Sequence, residues 1–191
     1  MTTPTPTETP LPAATSTIVP ATFVPPTVVP PTAVLQPTAP LVVQRLTLGQ
    51  LRGGFYHSQD WGAYQLVDGI FYRTPPTAGE SPQLYDSEFT QSVFGDLNAD
   101  GFQDAAVILT THNGGNGNNK ELAIVLDQDG GPMNAATIDI GFMVGLVNLR
   151  IEGDVVILDL RVSGPGDALC CPSQAETRSY HMQDGAFERL P

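Results

Sequence analysis

The first forty residues of this chain have a composition that cannot build a core, and that decides how the rest must be read. From Met1 to Pro40 there are eleven prolines and eleven threonines, no glycine, no lysine or arginine, and one acid, Glu8. Proline lacks a backbone donor and blocks both helix interior and central strand, so so dense a tract builds no core. From Leu41 onward the composition inverts: all nineteen glycines, nineteen of the twenty acids and all eight basic residues lie there. The chain therefore divides into a linker, 1–40, and a domain, 41–191. A domain of that length can bury one self-sufficient core.

The linker contains a short repeat, IVPAT (18–22), FVPPT (23–27) and VVPPT (28–32). Such a segment favours polyproline II and spans about 3.1 Å per residue, so forty residues reach on the order of 100 Å. Two readings stand: a stalk at a cell surface, with threonines open to O-glycosylation, or a disordered tail that only adds solubility. The chain opens on MTTPTPTETP, with neither the basic n-region nor the apolar h-region of a signal peptide. Thr/Pro tracts of this kind usually follow a signal peptide or a lipid-modified cysteine. A leader or anchor ahead of Met1 is therefore expected, and with it an extracytoplasmic location, cell envelope or secreted.

The formal charge is −12 and the pI about 4.3. The domain carries −11 of that charge, nineteen acids against eight bases, and its only lysine is Lys120. Such a surface repels phosphate backbones, which argues against nucleic acid as a partner. No uninterrupted apolar run of about 18 residues predicts a transmembrane helix.

Within the domain, short runs rich in Val, Ile, Leu and aromatics are bounded by Gly, Asn or Asp. They are AYQLV (63–67), IFYRT (70–74), AAVILTT (105–111), LAIVLD (122–127), ATIDI (136–140), LVNLRIE (146–152), DVVILDLRV (154–162), TRSYHM (177–182) and AFERL (186–190). This pattern predicts strands. Hairpin turns are expected at VDG (67–69), DQDGG (127–131), EGD (152–154) and QDG (183–185), where Asp-Gly and related pairs supply positive φ. In the clearest hairpin Val147, Leu149 and Ile151 alternate against Leu146, Asn148, Arg150 and Glu152, which predicts one apolar face. One short helix is expected over Leu46–Arg52, capped by Thr47 and stopped at Gly53–Gly54. The fold class is mainly β, a single antiparallel meander or sandwich-like domain.

The stretch GDLNADGFQD (95–104) has the spacing of a calcium loop. Calcium takes six to eight oxygens at about 2.3–2.6 Å, supplied by side chains at loop positions 1, 3 and 5, a carbonyl at 7 and a ligand at 9. Those positions are Asp96, Asn98, Asp100, the Phe102 carbonyl and Asp104, and Gly101 stands at position 6, where the chain must turn. Three carboxylates so close repel one another without a cation. The EF-hand reading fails at position 12, where Val107 replaces the bidentate Glu, and AAVIL reads as a strand. The alternative is a polar hairpin.

The loop resembles the DxDxDGxxD loops of FG-GAP or integrin-α-type β repeats, which lie between two strands, and is similar to the first part of a dockerin loop. FG-GAP proteins carry several copies in a propeller and this chain has one, so the resemblance covers the loop and its flanking strands. A wider resemblance, from about Leu46 to Leu190, is to a family of uncharacterised bacterial envelope proteins, often lipoproteins. It rests on VDGIFY (67–72), FGDLNADGFQDAAVIL (94–109), NGGNGN (113–118), LAIVLDQDGGPMNAATIDIG (122–141), GPGDALCCPSQ (164–174) and RSYHMQDG (178–185). That resemblance implies a location and no reaction; the lipidated cysteine typical of such proteins is absent from this sequence.

Cys170 and Cys171 are the only cysteines and are adjacent. Three readings are open: a vicinal disulfide suited to an oxidising compartment, two reduced thiols, or part of a metal site. His57, His112 and His181 fall in or beside different strand-like segments, and no GxSxG, HExxH or P-loop occurs. Asp127 and Asp129 lie in an expected turn, where solvation is the simpler reading than a glycosidase dyad. The segment THNGGNGNNKE (111–121), with His112, Asn113, Asn116 and Asn118, is a ligand loop or a long hairpin connection. Trp61 and Tyr64 form a sugar-stacking platform or belong to the core.

These observations lead to one expectation: a non-catalytic extracytoplasmic β domain, stabilised by one calcium ion and displayed on a Pro/Thr stalk. Partners consistent with it are a cell-wall polymer, a glycan or a surface protein. Two alternatives accompany it: a sugar- or protein-binding module using the 111–121 loop, and an envelope hydrolase.

Overall fold

A computed structural model describes residues 41–58, 61–74, 86–112, 117–183 and 186–191. The stalk expected over 1–40 lies outside the described residues. Helix α1 (Leu48–Arg52) begins two residues later than the sequence pattern suggested, because Thr47 is its cap. The Thr47 hydroxyl accepts the Gln50 N–H and the Gln50 side chain accepts the Thr47 N–H, a reciprocal capping box.

Two meanders follow. The first sheet runs β3 (Ile70–Phe71), β4 (Ser87–Gly95), β5 (Asp104–Thr111), β6 (Asn119–Gln128) and β7 (Gly131–Phe142), each antiparallel to the next. The second runs β8 (Gly145–Glu152), β9 (Val155–Val162), β10 (Gln174–Gln183) and β11 (Ala186–Arg189), again antiparallel. A hairpin of β1 (Phe55–Ser58) and β2 (Gly62–Gln65) forms a third, two-stranded sheet. At the β6–β7 turn Asp129 and Gly130 have φ of 53° and 85°, the double positive that a two-residue hairpin turn needs.

The central strands of the five-stranded sheet, β5 and β6, are covered on both faces. Ala106, Ile108, Leu122 and Ile124 pack against Leu149, Val156, Leu158 and Tyr180 of the second sheet, which makes a sandwich. Ala105, Val107, Leu109, Ala123 and Val125 point the other way, against Leu51 of α1 and Tyr56, Tyr64 and Leu66 of the hairpin layer. Every residue of β5 is buried, which is why AAVIL reads as a continuous apolar run instead of an alternating one. The sheets approach closely where β4 ends: a Cβ on Gly95 would come 2.8 Å from Ile151 Cγ2.

The alternation expected in β8 is corrected at Val147, which is 62 % exposed. A β-bulge between Leu146 and Asn148 inserts Val147 as an extra residue, so Leu146, Leu149 and Ile151 face the core together.

Candidate functional site

The aspartate loop joins β4 to β5 and is fastened at three points. Leu97, only 1 % exposed, is part of the sandwich core. Asp104, fully buried, accepts the Leu97 N–H at 2.9 Å and the Asp127 N–H at 2.8 Å, one on each carboxylate oxygen. Val43 forms a parallel bridge with Phe102, in which Val43 donates to the Gly101 carbonyl and accepts from the Gln103 N–H. That bridge leaves the Phe102 carbonyl out of its bonding, since the bridged residue's own groups point away from the partner.

Inside the loop the side chains fold the backbone. Asp96 accepts the N–H of Asp100 at 3.2 Å and of Gly101 at 3.0 Å. Asn98 Oδ1 accepts the Asp100 N–H, and Asp100 accepts from the Phe102 N–H and the Asn98 amide. Ala99 and Gly101 take positive φ, 60° and 84°, which wraps the peptide N–H groups around these oxygens. Burial pushes the Asp104 carboxyl above its ordinary range, with the nearby Asp100 and Asp96 carboxylates adding to the effect and the two N–H bonds opposing it.

The donor set is all hard oxygen, the chemistry calcium takes. Each Asp96 and Asp104 carboxylate oxygen spends one lone pair on an N–H and keeps another. Among the described residues, however, no three acidic, histidine or cysteine side chains converge as ready metal ligands.

Beside the loop lies a second carboxylate that the sequence pattern misjudged. Asp127 is not solvated. Its side chain is fully buried and is held by Arg45, with Nη2 at 2.7 Å from Oδ1 and Nε at 3.2 Å from Oδ2. The Gly130 N–H also donates to it, and the Arg45 guanidinium lies 3.5 Å over the Phe102 ring. Asp129 is exposed in the turn. The chain Phe102, Arg45, Asp127, Asp104 thus ties the loop to the β6–β7 hairpin.

Asn113 and Asn116 lie outside the described residues. Asn118 and Trp61 are not brought together. Trp61 packs against the hairpin-layer core, with the Arg73 guanidinium 4.4 Å over its ring. Asn118, with Lys120, lines a cavity of about 270 Å³ with Val144, Cys170 and Pro172. His112 sits just past the end of β5, His57 on β1 and His181 on β10, beside or in three different sheets. Cys170 and Cys171 are joined to each other as a vicinal disulfide.

Glu121 is 1 % exposed on β6, on the hairpin side of the central sheet, and accepts from the Ser58 hydroxyl at 2.9 Å. Nearby, Tyr64 and Ser87 share a hydrogen bond of 3.0 Å. Burial, helped by the charge of Glu121, pushes the Tyr64 phenol up to about 12, against the Ser87 bond. No sequence signal marked this polar cluster, since Ser58 lies 63 residues upstream of Glu121. Comparison with protein-family models, curated proteins and solved structures finds no match.

Proposed function

We propose that this chain is a non-catalytic extracytoplasmic β domain that binds one calcium ion in the loop Asp96–Asp104 and stands on a Pro/Thr stalk at the cell envelope. The observation that carries the calcium reading is the fastening of the loop. Leu97 in the core, Asp104 on two backbone amides and the Val43 bridge hold the backbone in position before any ion arrives. Binding asks only Asp96, Asn98 and Asp100 to turn their side chains toward one point, with the Phe102 carbonyl and Asp104 completing the set. A preformed backbone lowers the entropy cost of ordering ligands. The ion would relieve the mutual repulsion of the three carboxylates and pin the β4–β5 connection. The envelope location rests on the Thr/Pro tract and on the vicinal disulfide, a bond favoured where the compartment is oxidising. Equilibrium dialysis of the full chain against calcium tests the reading: one ion bound per chain supports it, and none bound at millimolar calcium refutes it.

A second reading, a sugar- or protein-binding module using the 111–121 loop, is favoured by the cavity that Asn118 and Lys120 line.

A further inference from the structure

We propose that the cavity at the mouth of the sandwich, between the start of β6 and the loop after β9, binds a carboxylated sugar unit. The inference deepens the binding-module reading and is independent of the calcium loop. Three features meet there.

The first is Lys120, the only lysine in a chain with twenty acids. It shares the inward face of β6 with Leu122 and Ile124, at the half-buried end of that row. Its ammonium donates to Thr110 Oγ1 at 3.1 Å, which uses one of three N–H donors. Burial lowers its pKa, with the charge of Glu88 opposing that shift. A cation drawn partly out of water gains most from an anionic partner that enters the same cavity.

The second feature is the vicinal disulfide. Of the two joined cysteines, Cys170 lines the cavity with a donor-free, polarisable sulfur, and Pro172 and Val144 line it as well. The loop that carries them is held in shape by Asp167, which accepts the Gly164 N–H, the Ser173 N–H and the Ser173 hydroxyl. Leu169, next in the chain, is 67 % exposed.

The third is Met143, whose φ of 54° is unusual for a side chain of its size. Its N–H donates to the Asn118 carbonyl at 2.8 Å, which fixes the β7–β8 turn against the start of β6. Held backbone strain of this kind concentrates at ligand sites.

The lining combines apolar groups of Cys170, Pro172 and Val144 with the side chains of Lys120 and Asn118. A pyranose ring with a carboxylate matches it: the C–H face packs on the wall, hydroxyls meet the Asn118 amide, and the carboxylate meets Lys120. At about 270 Å³ the cavity suits one ring, below the range of roughly 300–1,000 Å³ typical of larger ligands.

The test is a heteronuclear NMR titration of the full chain with methyl glucuronide, methyl glucoside and acetate. The glucuronide is expected to bind at least about tenfold more tightly than either, shifting the amides of Asn118, Lys120, Met143 and Cys170. Lys120→Met is expected to erase the preference for the glucuronide while the melting temperature and amide spectrum elsewhere stay as in the wild type. If Lys120→Met fails to fold, Asn118→Ala is the second variant, expected to weaken the glucuronide at least about threefold and to leave acetate unchanged. Equal binding of glucuronide and acetate would reduce the cavity to a simple anion site and overturn the proposal. Equal binding of glucuronide and glucoside, or no shift with any ligand at tens of millimolar, would overturn it too. A sugar that shifts amides elsewhere and leaves these four in place would sink this site while sparing the binding-module reading.

Discussion

Asp104 and Asp100 belong to one loop, yet their removal should have different consequences. Asp104→Ala deletes the acceptor of two buried amides, those of Leu97 and Asp127. Each orphaned buried N–H costs about 1–3 kcal/mol, so the sum is about 2–6 kcal/mol. Part of this is returned, because the lost carboxylate was itself disfavoured by burial and by the charges of Asp100 and Asp96. A net loss of about 3 kcal/mol is expected, which lowers the melting temperature of a domain this size by about 6–12 °C. Asp104→Asn keeps one acceptor and sets its NH₂ against the other amide, for a loss of about 1–2 kcal/mol. Asp100 is exposed and its bonds are confined to the loop, so Asp100→Ala should cost less than about 1 kcal/mol in chelator. Urea unfolding of the three variants in excess chelator measures the order Asp104→Ala, Asp104→Asn, Asp100→Ala. An Asp104→Ala protein as stable as the wild type, or an Asp100→Ala protein equally damaged without calcium, would refute the division of the loop into anchor and ligands.

Two further predictions concern ion pairs. Asp127→Ala leaves the Arg45 guanidinium without its bidentate partner and removes the Gly130 cap; a loss of about 2–4 kcal/mol is expected, with a coupling to Arg45→Ala above about 1 kcal/mol in a double-mutant cycle. Glu176 accepts from Arg178 and Arg189, and the Arg178 hydrogen bonds in particular hold its carboxyl down at about 2. A depressed carboxylate stabilises the fold above its unfolded value and loses that contribution as pH falls toward the folded one. The wild type should therefore lose about 1 kcal/mol between roughly pH 4.5 and pH 2 that Glu176→Gln lacks already at pH 7, a small value because the cluster is partly exposed. Urea midpoints measured across that range would show the two curves converging in acid; parallel curves would contradict the assignment.

What the sequence disclosed followed from local pattern, and what it withheld depended on distant partners. Strands β5 and β6 were legible because both of their faces are buried, which leaves an unbroken apolar run. Strand β4, SEFTQSVFG, was legible only as a strand flanking the aspartate loop, because its polar residues sit at half-buried positions and a bulge beside Thr90 breaks the alternation. Strand β1 has four residues and too few alternations to register. Val147 looked inward until the bulge set it outward. The loop positions 96 to 104 could be assigned by spacing, but the anchoring role of Asp104 depends on the amide of Asp127, 23 residues on. Asp127 sits beside a turn and reads as solvated; Arg45, 82 residues upstream, makes it a buried ion pair. The Lys120 cavity was hidden for the same reason, since its walls come from β6, the β7–β8 turn and the loop after β9.

Thermal unfolding of the full chain decides whether the loop Asp96–Asp104 takes calcium. The wild type and Asp100→Ala are melted in excess calcium and in chelator. Occupancy at a hundredfold excess over Kd stabilises the folded state by about 2.7 kcal/mol, or about 5–11 °C for a domain of this length. That rise is expected for the wild type and is expected to be absent in Asp100→Ala. A wild-type melting temperature that is the same in calcium and chelator would contradict it and leave the loop an acidic hairpin held by its own backbone.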